Sequence, residues 1–170
     1  MKRLIAHSLI ALAAATAGTV YAQYDADQAL RDWQEAEVPA PPAWNTKNLV
    51  DVAQRPYSTL QTAVDVDSVT VGPDTVVRFV LYTKSKESGL QSAYYYGIRC
   101  QTWQVRTYAR NDGQGWSDVG SPWVSLYDTH SRTVNDLAKK GACDNLTPPS
   151  STAEARKAIQ RGTPTWMGQQ

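Results

Sequence analysis

The sequence has 170 residues with 17 basic and 16 acidic side chains, which gives a formal net charge of +1 at pH 7. This balance offers no electrostatic reason to expect a nucleic-acid partner. The length, once a leader is removed, fits a single domain.

The first 22 residues have the pattern of a secretory signal peptide. Lys2 and Arg3 precede an almost uncharged apolar run, and the small residues Val20 and Ala22 stand at the two positions that signal peptidase reads. A membrane anchor is the alternative, but this alanine-rich run is shorter than the ~20 residues of a span. The sequence therefore predicts a periplasmic or secreted protein, cleaved after Ala22. No membrane span is expected, and no lipid anchor either, since no cysteine lies at or just after the cleavage point.

Residues 23–45 are an acidic and proline-rich N-terminal segment. Within it, residues 37–44 (EVPAPPAW), here called the proline segment, hold three prolines in four positions. Proline fixes φ and lacks an amide donor, so an extended, polyproline-like conformation is predicted. Such a segment can dock onto a partner. The flanking Trp33 and Trp44 favour a segment that lies across its own domain.

Residues 46–146 are predicted to form the core domain. Residues 63–67 (AVDVD) alternate, as in a half-buried strand whose acids, Asp65 and Asp67, face solvent. The alternation changes phase at Ser68, which predicts a β-bulge. Other apolar stretches are separated by short turns, so the strands are predicted to be antiparallel.

The C-terminal third is predicted to be helical. Residues 133–140 begin at a capping threonine and end with two lysines before Gly141. Residues 147–170 hold a second helix, 152–161, opened by a capping box of Ser151 and Glu154. The predicted fold class is α+β. It is a single domain with an antiparallel sheet of about four to six strands and C-terminal helices packed on one face.

The two cysteines, Cys100 and Cys143, are expected to form a disulfide, because an even count in an exported protein indicates one. A redox pair is the alternative. Catalytic dithiols usually occur as C-x-x-C, so the spacing favours a structural bond.

Residues 92–110 hold the densest set of aromatic and basic side chains. If this stretch is one strand, Ile98 and Cys100 share a face with Tyr94 and Tyr96, and that face is turned toward the C-terminal helix by the disulfide. The other face carries the candidate binding surface, Tyr95, Arg99 and Trp103. Gly97 leaves a slot on that face for the proline segment or for an outside ligand. The need to cover an apolar face favours the proline segment.

No catalytic, cofactor-binding or metal-binding residue is predicted, and no cofactor is expected. His130 is the one histidine after the leader, which excludes a histidine-rich zinc site. It lies within residues 128–131 (DTHS), where a turn and helix-capping role is expected, because catalytic triads are assembled in space. Asp65 and Asp67 could hold a cation or act as acid and base, but no further ligand is near them in the sequence.

A set of motifs extends over most of the chain after residue 22. It comprises DWQE at 32–35, VP and PP in the proline segment, VRFVL at 77–81, Tyr95, GIRC at 97–100, Tyr108-Ala109, Trp116, Trp123, and the stretch from Leu137 to Cys143. This set resembles the cryptic neisserial protein family of exported bacterial proteins. More loosely, a cysteine strand and a cysteine that closes a helix resemble surface-adhesin E-like envelope proteins, which pair an antiparallel sheet with a helix.

The first resemblance implies no assigned activity and therefore no catalytic residues. Many members look like lipoproteins, from which this sequence departs because it lacks a lipobox cysteine. The predicted function is a non-enzymatic binding or structural role in the cell envelope, with an envelope protein as the partner that fits this location. The alternatives are an adhesin-like surface binder of a host protein, implied by the looser resemblance, and a hydrolase that uses His130.

Overall fold

The computed structural model describes residues 28–52, 57–128 and 132–162. The predicted signal peptide and His130 lie outside these residues. Of the described residues, those from 28 to 35 belong to one compact unit and those from Ala36 onward to another. In the first unit the Asp32 amide donates to the Gln28 carbonyl oxygen at 2.9 Å and closes a helical turn. None of the helices in the described ranges has the length and apolar composition that crossing a membrane requires.

The second unit contains one antiparallel sheet of seven strands. Six are neighbours in chain order: β1 (Leu49–Asp51), β2 (Leu60–Val71), β3 (Val77–Ser85), β4 (Gln91–Arg99), β5 (Gln104–Asn111) and β6 (Trp116–Asp118). The seventh, β7 (Val124–Ser125), pairs with the start of β5. Three of the seven strands have only two or three residues. The predicted α+β class and the antiparallel sheet are confirmed.

Two helices follow the sheet in the chain. The first, α1 (Arg132–Leu137), continues into a π-helical turn (Ala138–Ala142), and α2 is Thr152–Gly162. Gly141, in the π-helical turn, has an extended φ of 177°. A Cβ at Gly141 would lie 2.7 Å from the Ala158 carbonyl oxygen. The glycine therefore allows the π-helical turn to approach the backbone of α2 closely.

The start of α2 is capped much as the sequence predicts. Ser151 Oγ accepts the Glu154 amide at 3.2 Å. The Glu154 carboxylate accepts the Ser150 amide at 2.8 Å, one residue before the predicted partner. The side chain of Glu154 thus reaches back to an amide just before the helix, one residue earlier than in a regular capping box.

The predicted bulge in β2 is present and is where α2 attaches to the sheet. The pairing with β3 changes register between Asp65 and Thr70. Arg156 of α2 donates to the carbonyl oxygens of Asp67 at 2.7 Å and Val69 at 3.1 Å. These contacts provide partners for bulge carbonyls on the sheet edge.

Asp65 differs from the prediction that both acids face solvent. Asp67 is exposed, but Asp65 is only 3% exposed. Its carboxylate accepts the Asp67 amide at 3.0 Å, and burial raises the pKa of Asp65. Residues from Thr62 to Val66 are all buried, so both faces of this part of β2 are covered and the alternation did not mark a solvated face.

The sheet is buried on both faces. A helix-side cluster includes Phe79, Leu81, Ile98, Val134, Leu137 and Ile159. A segment-side cluster consists of Val80, Ala93, Tyr95, Tyr108 and Ala109, with Val38, Trp44 and Trp116 packed against it. The Cys100–Cys143 disulfide, with 5.7 Å between its Cα atoms, belongs to the helix side and confirms the predicted pairing.

The burial of Tyr96 is expected to make the domain less stable at alkaline pH. Its ring lies 5.9 Å from both Phe79 and Tyr94, between ring centroids. Burial, reinforced by Tyr94, raises the pKa of Tyr96 to about 12. Because an unfolded tyrosine titrates near ~10, the folded state holds the proton more tightly. This contribution to stability is complete below pH ~10 and is lost as the pH rises from there toward 12.

We expect the free energy of unfolding of the wild type to fall over that pH range more steeply than that of Tyr96→Phe, which has no phenol to ionise. Denaturant titrations in steps between pH ~9 and ~12 measure both curves. Two parallel curves would contradict the assignment.

Candidate functional site

The segment-side face carries two arginines that flank a glycine across three strands. Arg78 of β3 is the register partner of Gly97 of β4, and Gly97 is the partner of Arg106 of β5. Register partners lie on the same face of an antiparallel pair. The two guanidinium groups therefore lie on either side of a position without a side chain.

Tyr108 fills the space above Gly97. The pairing of β4 with β5 shifts by one residue, since Tyr95 pairs with Ala109 and Tyr96 pairs with Thr107. The extra residue is Tyr108, so a β-bulge sets its ring on this face. The guanidinium carbons of Arg78 and Arg106 lie 5.6 and 5.5 Å from the ring centroid. The slot that the sequence assigned to the proline segment or a ligand is thus occupied by Tyr108.

Gly97→Ala is expected to destabilise the domain by about 1–3 kcal/mol through overpacking. A Cβ at this position would lie 2.7 Å from Tyr108 Cε2, and the ring is held between the two arginines. Thermal and denaturant unfolding of the variant measure the loss. Gly89→Ala is a poor control, because Gly89 has a φ of 72° and alanine would add backbone strain there. The better control combines Gly97→Ala with Tyr108→Ala, since the clash disappears when the ring is removed.

Arg78 is held by a buried ion pair with Asp74. The two guanidinium nitrogens donate to the two carboxylate oxygens at 3.1 and 2.6 Å. Burial raises the pKa of Asp74, but hydrogen bonds from Arg78 and from the Ala36 and Val76 amides outweigh it, so the pKa lies below its ordinary value. The pair is therefore charged at neutral pH and fixes Arg78 beneath Tyr108.

The proline segment is attached to this face at both ends. Just before it, the Ala36 amide donates to Asp74 Oδ2 at 3.0 Å. Toward its other end, Trp116 Nε1 donates to the Pro42 carbonyl oxygen at 2.9 Å, and Trp44 packs edge-on against Tyr82 with 5.8 Å between centroids. The part of the proline segment between these attachments crosses the segment-side cluster, to which Val38 contributes.

A groove of about 370 Å³ remains open between the proline segment and the end of the sheet. Val38, Pro39, Ala40 and Pro41 form one wall. The remaining lining residues are Tyr95, Arg106, Tyr108, Ala109, Trp116, Asp118 and Gly120. The groove therefore combines aromatic rings and proline with one cationic and one anionic side chain. This combination is typical of a binding site in which a few polar groups orient an otherwise apolar ligand.

The CNP1-like family model matches residues 28–160. The chain belongs to the CNP1-like family. This confirms the predicted resemblance to the cryptic neisserial protein family, while the looser resemblance to adhesin E-like proteins is not confirmed. No curated protein and no solved structure matches the chain. The region that matches the CNP1-like family contains the proline segment, both cysteines and every residue that lines the groove.

Two of the three residues proposed as a binding surface lie on the expected face. Tyr95 is 2% exposed and Arg99 is 8% exposed. The Tyr95 ring packs against Tyr108 with 5.3 Å between centroids, and it contributes to the base of the groove. Burial lowers the pKa of Arg99.

Trp103 is not on this face. The strand ends at Arg99, and a 3₁₀ turn (Cys100–Thr102) follows it. Trp103 then adopts a left-handed conformation with φ of 52°, and its ring joins the helix-side cluster. The alternation used for the sequence-based assignment therefore does not extend beyond Arg99.

The sequence analysis missed Arg106, Trp116 and Asp118 as groove residues. Arg106 could have been found from the same alternation that placed Tyr95, once the two strands are paired.

Among the described residues, no group of three or more histidine, cysteine or acidic side chains could hold a metal ion.

Proposed function

We propose that this CNP1-like protein is an exported, non-enzymatic protein of the cell envelope that binds a ligand in the groove beside the proline segment. The observation that carries the proposal is the groove itself. It stays open although the proline segment is attached at both ends, and its lining brings Arg106, Trp116 and Tyr108 together.

The chemistry of the lining favours binding over catalysis. Arginine stays protonated and cannot serve as a base near neutral pH. The carboxylate of Asp118 accepts the Gly120 amide at 2.8 Å and so supports its own turn. A guanidinium and aromatic rings recognise carboxylates, carbonyls and apolar surfaces without any chemical step.

The disulfide supports the location that we propose. The Cys100–Cys143 bond closes a loop with a sequence separation of 43 and joins two buried sulfurs. Such bonds persist in oxidising compartments such as the periplasm. The signal-peptide pattern in the first 22 residues points to the same compartment.

The test is to retrieve the ligand from protein exported in its natural host and purified without denaturation. Molecules released by organic extraction are identified by mass spectrometry for the wild type and two variants. Ala40 is exposed and lines the groove, so Ala40→Trp is expected to fill part of the groove with a large ring. Ala153→Trp is the matched control, an exposed alanine on α2.

We expect a compound that the wild type and Ala153→Trp retain and that Ala40→Trp loses. Both variants should unfold at nearly the temperature of the wild type. Identical extracts from all three proteins, or extracts without any retained compound, would contradict ligand binding in the groove.

A further inference from the structure

We propose that the ligand of the groove is an extended, proline-containing peptide segment with an acidic side chain. This inference rests on the proposed binding function and adds the chemical class of the ligand.

The surface around the groove already binds a segment of this class. Residues 39–42 include three prolines, whose fixed φ favours an extended form, and the indole of Trp116 donates to the Pro42 carbonyl oxygen at 2.9 Å. Docking of proline-rich segments on aromatic grooves is a recurring mode of peptide recognition, because the segment is ordered before it binds. The proline segment therefore shows, within the chain, which backbone this face accepts.

The groove offers the same chemistry beside the proline segment. Tyr108 and Trp116 supply aromatic surface, and Pro39 and Pro41 supply the facing wall. Arg106 is half-buried, with its guanidinium over the Tyr108 ring. A planar guanidinium in this position can donate to a carboxylate with two parallel hydrogen bonds. A peptide would match the lining if its prolines packed on the rings of Tyr108 and Trp116 and its carboxylate accepted hydrogen bonds from Arg106.

Addition of a β-strand, the other common mode of peptide binding, is blocked along β5. Between the stretches of β5 that pair with β7 and β6, the Thr107 amide donates to Ser121 Oγ at 2.9 Å. The hydroxyl of Ser121 donates back to the Thr107 carbonyl oxygen at 2.9 Å. The Val119 amide donates to the Tyr108 carbonyl oxygen at 2.9 Å. A peptide that lies over β5 would therefore bind through side-chain surfaces, as polyproline ligands do.

The probe is a fluorescein-labelled synthetic peptide, EVPAPPAW, which has the sequence of residues 37–44. It contains three prolines and the carboxylate of a glutamate. Fluorescence anisotropy measures its binding to the full-length exported protein. We expect saturable binding that is lost when the three prolines of the peptide are replaced by alanine. Arg106→Met should weaken binding by about tenfold or more, since a charge-assisted contact is removed. If Arg106→Met does not fold, Arg106→Lys replaces it and should weaken binding less.

The Ala40→Trp and Ala153→Trp variants decide where the peptide binds. Binding in the groove should be abolished by Ala40→Trp and unchanged by Ala153→Trp. Binding that survives Ala40→Trp would mean that the peptide displaces the proline segment, and would overturn the proposal. Equal binding of the all-alanine peptide, or no binding of either peptide, would also overturn it. In that case the proposed function would still stand if the extraction experiment identified a different compound that the wild type retains and Ala40→Trp loses.

Discussion

Asp74→Ala is expected to lower the free energy of unfolding by about 3–5 kcal/mol, because it leaves the buried charge of Arg78 without its carboxylate partner. The side chains of Arg78 and Asp74 are 2% and 1% exposed. The amides of Ala36 and Val76 would lose their acceptor as well.

A double variant separates the cost of the unpaired charge from the value of the ion pair. Asp74→Leu with Arg78→Met removes both charges and keeps side-chain volume at both positions. We expect it to be more stable than Asp74→Ala, since apolar replacement of a buried ion pair is often close to neutral. Denaturant unfolding measures both. A loss below about 1 kcal/mol for Asp74→Ala would show that the pair does not hold this face together.

The second large effect is expected from the disulfide. Replacing Cys100 and Cys143 by alanine together should lower the free energy of unfolding by about 4 kcal/mol, from the entropy that the closed loop removes from the unfolded chain. The bond joins the residue after β4 to the residue after the π-helical turn. Without it, that turn and α2 are tied to the sheet mainly by packing and by the contacts of Arg156 and Thr152 with β2.

Reduction of the wild type provides the comparison for the double alanine variant. Wild-type protein in excess reductant should unfold at the same denaturant concentration as the variant, whereas oxidised wild type should unfold at a higher one. Equal stability of the oxidised and reduced wild type would contradict a structural role for the bond.

The parts of the fold that the sequence predicted correctly depend on local signals. The bulge at Ser68 is visible as a change of phase, and the start of α2 is visible as a serine three residues before a glutamate. The disulfide follows from a cysteine count together with the predicted exported location. Each of these inferences needs only neighbouring residues or the compartment.

The misplaced residues depend on tertiary structure. Trp103 leaves its expected face because β4 ends at Arg99, at the point where Cys100 is tied to the helix side. Tyr108 covers Gly97 because β5 pairs with β4 with one extra residue, which appears only when the two strands are aligned. Asp65 is buried because both faces of β2 are covered. No local pattern reveals any of these three features.

The groove itself could be anticipated only in outline. The prolines of residues 37–44 predicted an extended segment, and Gly97 indicated a close approach on the face of Tyr95. The aromatic and charged groups of Trp116 and Asp118 come from β6, which has three residues and no clear strand pattern. Their position depends on pairing with β5.

The measurement that tests ligand binding in the groove most directly is ¹⁹F NMR of the protein labelled with 5-fluorotryptophan. Trp116 lines the groove, whereas Trp103 lies in the helix-side cluster on the opposite face of the sheet. On addition of extract from the natural host's cell envelope, we expect the Trp116 resonance to shift in a saturable manner while the Trp103 resonance stays unchanged. An unchanged Trp116 resonance, or equal shifts of both resonances, would contradict the account.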